Sequence, residues 1–186
     1  MKVLRAPHAH ANITTLNCDE ATQLAGVHSV LIATDPDVAA IQPMNCRAML
    51  DNAGFSEPDR PVLAQSQVKF LGEPLAAVVA ETDAIAQDAL ETMEIDFESL
   101  PVETSVDIAA TGKNLIWKDI PDNCAFSWEK GNAEETQALF DGADQTVSLR
   151  VEHPRMAITP IEPRSYLAEY HSDTDSYTLH LSLIHI

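Results

Sequence analysis

Residues 75–80, LAAVVA, contain no polar side chain. A short apolar run bounded by turn signals predicts a strand covered on both faces, and hence one at the centre of a sheet. Immediately before it, Leu71, Gly72, Glu73 and Pro74 make a turn signal in which Gly tolerates positive φ and Pro fixes the exit. The expectation is a hairpin connection from a strand over 67–70. After the run, Ile85, Ala86, Ala89 and Met93 recur at helical spacing while Gln87, Asp88 and Glu91 fall on the opposite face. Thr82 or Asp83 is placed to cap that helix. Ile95 and Phe97 then alternate with Glu94, Asp96 and Glu98, the period of a strand with one wet face. Strand, helix and strand within about 24 residues predict a crossover unit.

The flanking chain is less regular. Val3, Leu4 and Ile13 fall in short β-like runs, Asp19 and Glu20 open a short helix that stops at Gly26, and residues 27–33 read as a buried strand. Residues 34–60 are interrupted by Pro36, Pro43, Pro58, Asp51-Asn52 and Gly54, and predict a long loop. Residues 101–112 read as a linker, with a domain boundary expected between 108 and 125. Beyond it, a strand is expected over 126–129, followed by a helix capped by Asn132 that ends before Asp141-Gly142. The period is then two over 147–151, 166–170 and 177–181, which predicts a largely antiparallel sheet that is incomplete.

Composition narrows the partners. Eleven basic against 29 acidic side chains give a net charge of -18, which repels phosphate backbones and anionic lipid headgroups alike. Nucleic acid and membrane surfaces are excluded as expected partners, and no apolar run approaches the roughly 20 residues of a membrane span. Cys18, Cys46 and Cys124 are odd in number and far apart, so neither a disulfide framework nor a zinc or iron–sulfur site is written in the chain. A reduced, cytoplasmic setting follows.

Few residues carry candidate chemistry. His8 and His10, two apart on an expected strand, would share a face and could hold a metal if a third ligand joined them; the alternative is a hydrogen-bonded pair fixing the first strand. Glu73 puts a carboxylate on a rigid turn whose Gly and Pro are explained by backbone geometry alone. Dinucleotide and triphosphate loops are absent among the six glycines, and no nucleophile elbow occurs. Glu162-Pro163-Arg164 holds an acid and a base on a proline-stiffened backbone, which aims each side chain; the competing reading is a surface ion pair worth little.

Three stretches, Arg5-Ala6-Pro7-His8-Ala9-His10-Ala11, residues 60–101, and Glu162-Pro163-Arg164 within RMAITPIEPRSYLAEY, together resemble the molybdenum-containing subunit of the xanthine dehydrogenase, aldehyde oxidase and aerobic carbon monoxide dehydrogenase family. The resemblance implies an α+β chain: a hammerhead α/β domain over 1–110, then an incomplete, largely antiparallel α+β domain over 111–182 that begins the molybdopterin-binding domain. It implies a parent that oxidises an electron-poor carbon with water-derived oxygen, on a purine-like heterocycle or an aldehyde, with carbon monoxide less favoured. Electrons would pass to iron–sulfur and FAD subunits or domains, in an oligomer. Glu162 and Arg164 would border the active-site funnel and shape it without reacting. The family's catalytic glutamate and Gly-rich cofactor loop would lie beyond residue 186, so no catalytic, cofactor-binding or metal residue is expected in this chain, and none of the molybdopterin–molybdenum group either. A non-enzymatic hammerhead docking module for electron-transfer subunits is the alternative. Further sequence is expected ahead of Met1. At the other end, residues 181–186, LSLIHI, match a translated transposase adaptor, so 183–186 are expected to be a non-native scar, against the alternative of a genuine apolar strand.

Overall fold

The computed structural model describes residues 1–44, 55–56, 58–127, 129–153 and 159–182. In chain order the elements are β1 (Lys2–Arg5), β2 (Ala11–Asn17), α1 (Asp19–Gln23), β3 (Val27–Ile32), α2 (Pro36–Ala39), β4 (Gln67–Val68), β5 (Pro74–Ala80), α3 (Asp83–Glu91), β6 (Glu94–Ser99), α4 (Val106–Ala109), α5 (Ala133–Asp141), β7 (Tyr166–His171) and β8 (Ser176–Leu181). The fold is α+β, built on small antiparallel sheets. The chain divides into two compact units, residues 1–130 and 131–186.

In the first unit the apolar run sits where its composition puts it. β5 is the middle strand of a sheet ordered β1-β5-β3, antiparallel to both neighbours. Alternate side chains of β5 enter two different cores, as the period of two requires. Leu75 packs with Ala6, Ala64 and Val68, bordered by Ile13, Ile95 and Phe97 of a second sheet ordered β4-β2-β6. Val78 packs on the other side with Ala21 of α1 and Ala86 and Ala89 of α3. One face of β5 is therefore covered by a sheet and the other by helices. Leu75, Val68 and Val78 are the largest side chains that are fully buried.

α3 starts as the sequence predicts. The Thr82 hydroxyl accepts a hydrogen bond from the Ile85 amide at 3.2 Å, so Thr82, and not Asp83, is the cap. At the end of the preceding helical segment Gly26 takes φ +84°, a left-handed stop that a residue with a Cβ resists. Lys2 of β1 reaches α3 through Asp83 at 3.1 Å and Gln87 at 3.2 Å, an exposed arrangement that contributes little.

Two expectations about connectivity are corrected. β5, α3 and β6 do not form a crossover unit, because β6 pairs with β2 in the second sheet, Ile13 opposite Phe97 and Leu16 opposite Ile95. The alternation in β6 gives the correct wet face, but alternation carries no information about which strand is the partner. The 71–74 turn is likewise not a hairpin: β4 pairs with β2 and β5 with β1 and β3, so the turn hands the chain from one sheet to the other. Gly72 adopts φ +82° at this corner, and its amide donates to the Ala6 carbonyl at 2.9 Å. The Ala6 amide donates back to the Glu73 carbonyl at 2.9 Å, and Arg5 Nη1 to the Gly72 carbonyl at 2.9 Å. The end of β1 thus supplies the frame for a turn almost 70 residues later in the chain.

The remaining differences are local. The strand expected over 67–70 is reduced to Gln67–Val68. The 34–60 loop contains α2; its residues 45–54 and 57 lie outside the described residues. The 101–112 linker contains α4 and leads into a folded loop. No strand forms over the described residues of 126–129, where Trp128 lies outside them.

In the second unit the Asn132 side chain accepts from the Glu135 amide at 3.1 Å and caps α5, as expected. β7 and β8 form an antiparallel hairpin with Tyr170 directly opposite Tyr177, ring centroids 4.9 Å apart. Residues 147–151 are not a strand in spite of their period: no described segment pairs with them, and Val147 and Leu149 are 94% and 83% exposed. A strand exists only as part of a ladder, so alternation without a partner leaves extended coil. Residues 183–186, expected to be a scar, lie outside the described residues.

Candidate functional site

His8 and His10 are not on a strand; they lie in the irregular connection between β1 and β2. Their rings part company. The His8 ring packs against Phe97, centroids 4.8 Å apart and planes tilted by 46°. His10 is buried, and its Nδ1 lies 2.7 Å from the Pro101 carbonyl. Because a carbonyl only accepts, Nδ1 donates there, and Nε2 has no hydrogen-bond partner among the described residues. The Leu100 amide donates to the His10 carbonyl at 3.0 Å, so ring and backbone together tie the start of β2 to the end of β6. This is the fixing role of the two alternatives, and no group of three His, Cys, Asp or Glu side chains suited to a metal occurs among the described residues.

Glu73 is buried, and its Oε2 accepts from the Lys69 amide at 2.6 Å. The carboxylate holds the corner between the two sheets.

Glu162 and Arg164 lie in the extended approach to β7, both exposed, and neither side chain pairs with a described residue. The competing surface ion pair is thus not formed between them. What the local structure does fix is the point where Arg164 joins the hairpin. The Ser165 amide donates to Ser182 Oγ at 2.7 Å, and the Ser182 amide to the Ser165 carbonyl at 3.0 Å. Along the hairpin, Tyr170 donates to Asp175 at 3.0 Å and His180 meets Glu169 at 3.1 Å, at half-exposed positions where such contacts orient more than they stabilise. Residues 155–158, which precede the triplet in the quoted run, lie outside the described residues.

Among the openings of the first unit are two clefts. A cleft of about 510 Å³ runs between residues 33–43 and 59–69 and is lined by Val38, Ile41, Pro61 and Leu63 with Gln65, Gln67 and Lys69 at its polar side. A smaller cleft of about 350 Å³ is bordered by Cys18, Asp19 and Asp35. Burial, together with the negative charges of Asp19 and Asp35, pushes the Cys18 thiol above its ordinary range and so favours its protonated form.

The residues that sequence reasoning passed over are Asn123 and Trp117. Asn123 Oδ1 accepts from the Ile116 amide at 2.8 Å, while its Nδ2 donates to the carbonyls of Ala109 at 3.0 Å and Asn114 at 2.9 Å. Trp117 donates through Nε1 to the Asp59 carbonyl at 3.0 Å. The available signal was Pro121-Asp122-Asn123, a turn-forming triplet whose last two residues take positive φ, as Asp and Asn tolerate.

Two family profiles match the chain in succession: the aldehyde oxidase and xanthine dehydrogenase a/b hammerhead domain over residues 1–101, and the molybdopterin cofactor-binding domain over 116–186. The nicotine 6-hydroxylase large subunit of Paenarthrobacter nicotinovorans is 30% identical over 96% of this chain and 21% of its own length. The carbon monoxide dehydrogenase large chain of Hydrogenophaga pseudoflava is 30% identical over 91% of this chain and 22% of its own. The crystal structure of quinoline 2-oxidoreductase from Pseudomonas putida 86 superposes with a TM-score of 0.79 at 27% identity, over 96% of this chain and 22% of that one. The chain therefore spans about a fifth of the length of these relatives. The succession of hammerhead and cofactor-binding matches over nearly the whole length shows that the chain belongs to the aldehyde oxidase and xanthine dehydrogenase family.

Proposed function

We propose that this chain is part of the large subunit of a molybdenum hydroxylase, which oxidises an electron-poor carbon with oxygen drawn from water. The observation that carries this reading is the order of the two matches, the hammerhead first and the cofactor-binding region directly after it. Relatives whose names specify nicotine, quinoline, aldehyde and carbon monoxide bracket the substrate class. A nitrogen heterocycle or an aldehyde is favoured, since both present a carbon made electron-poor by a polar neighbour; carbon monoxide is the less favoured branch.

Molybdopterin–molybdenum supplies the redox step and an activated oxygen when bound. The residues of this chain position what surrounds that chemistry and perform none of it. Electrons leave to iron–sulfur and FAD subunits or domains, and the complete assembly is an oligomer. Glu162 and Arg164 are assigned to the border of the funnel, because the proline between them stiffens the backbone and the Ser165–Ser182 pair pins the adjoining end of the hairpin. The boundary between the hammerhead and cofactor-binding regions is assigned to residues 110–111.

The test uses the complete large subunit, purified with its redox partners. Near-stoichiometric molybdenum and turnover of a heterocycle or aldehyde panel support the reading; a complete protein that binds no molybdenum and only docks electron-transfer subunits overturns it. Within that protein, Glu162→Gln removes a charge at constant shape. The expected outcome is an unchanged molybdenum content and melting temperature with altered kcat or KM per molybdenum. Unaltered kinetics alongside a lowered melting temperature for Arg164→Ala would return the triplet to a structural role.

A further inference from the structure

The two family matches part between residues 101 and 116, but the fold does not. Residues 103–126 close on themselves and on the first unit through contacts of different kinds. The Asn123 side chain joins three backbone groups, at Ala109, Asn114 and Ile116, and Asn114 is held in turn by the Glu103 carboxylate. Ile120 is only 3% exposed, between the Trp117 carbonyl that its amide bonds and the turn at Pro121. The loop is then fastened outward at three points. Trp117 donates to the Asp59 carbonyl, with the Lys69 ammonium 5.7 Å from the centre of its ring. The Ser56 amide donates to the Ala125 carbonyl at 2.8 Å. Phe126 packs against Phe55 with centroids 5.7 Å apart. After Phe126 this stops: Ser127, Glu129, Lys130 and Gly131 are exposed and make no hydrogen bond with any described residue.

We infer that residues 113–126 are a strap belonging mechanically to the hammerhead unit, although most of them fall within the cofactor-binding match, and that the strap ends at Phe126. Asn123 is the staple that gives the strap its shape, since one amide side chain satisfies one donor and two acceptors of a loop that has no ladder of its own. Trp117 is its outward anchor, joining a hydrogen bond to a cation–π contact.

Limited proteolysis of the 186-residue chain with a low-specificity protease, with cut sites read by mass spectrometry, separates the two boundaries. The expected first cut falls at 127–131, with 103–126 surviving at least tenfold longer. In Asn123→Asp, which keeps the Oδ1 acceptor and loses both donors, and in Trp117→Ala, cleavage within 109–118 should accelerate about tenfold while 75–98 stays protected. Native amide exchange guards against a variant that fails to fold: in the unmodified chain the Ser56 and Ile116 amides should exchange at least tenfold more slowly than those of Ser127 and Glu129. A first cut inside 103–126, variants that leave its cleavage rate unchanged, or equal exchange at those four amides would each overturn the strap.

Discussion

Burial sets the chemistry of two side chains, Cys18 and Glu73. The Cys18 thiol, pushed up by burial and by Asp19 and Asp35, should form thiolate only at higher pH than an exposed cysteine. With iodoacetamide and peptide mass spectrometry at neutral pH, Cys124, which is exposed, should alkylate faster than Cys18, and the gap should narrow as pH rises. A Cys18 that reacts first at pH 7 would contradict the assignment. Glu73 makes the complementary case. Glu73→Ala leaves the Lys69 amide at a sheet corner without its acceptor and should cost about 1–3 kcal/mol, read as a lowered melting temperature. Glu73→Gln retains an acceptor oxygen and should cost less. Equal losses in the two variants would mean that charge, not the hydrogen bond, holds the corner.

At the scale of elements, β5 and α3 are where sequence and structure agree most fully. Leu75→Ala removes a side chain at the contact between the two sheets and should cost about 2–5 kcal/mol, whereas Leu139→Ala, at a 72% exposed position of α5, should stay within about 0.5 kcal/mol. Thr82→Ala should cost about 0.5–2 kcal/mol through the lost cap. Thermal melts of the three variants rank them, and a Leu139 variant as damaged as the Leu75 variant would refute the placement of the core. These elements were legible because their signals are local: an all-apolar strand, a capping Thr, a repeat of three and four. What the sequence did not reveal is pairing. The wet face of β6 follows from its period, yet its partner β2 lies over 80 residues away, and no local signal distinguishes that partner from β5. Residues 147–151 fail for the same reason, having the period without the ladder. The Glu-Pro-Arg triplet was visible as a motif, while the Asn123 staple was not, because its meaning depends on which three backbone groups the loop brings to one amide.

Among the described residues, every side chain buried in an apolar core belongs to residues 1–130, and the α5 and β7–β8 elements keep their apolar side chains exposed. In the 186-residue chain, slow hydrogen exchange should therefore be confined to the first unit, strongest in β5, with β7 and β8 exchanging faster. Equal protection in both units would show that the second has a core of its own. The pairing of β2 with β6 also bears on how the protein is made. Ala11 lies opposite Ser99, and the corner at Gly72 needs the end of β1. During synthesis β1 must wait for β5, 69–76 residues later, and β2 for β6, 77–88 residues later, before the two sheets can close. At about 5–20 residues per second that is a delay of roughly 5–20 s. Until β5 arrives β1 has no described partner strand, and until β6 arrives β2 pairs only with the two-residue β4. The acidic alternation of β6, the last described strand of the first unit to arrive, supplies charge only at the end of that interval, so the nascent chain is most exposed to misassociation just before residue 100 is in place.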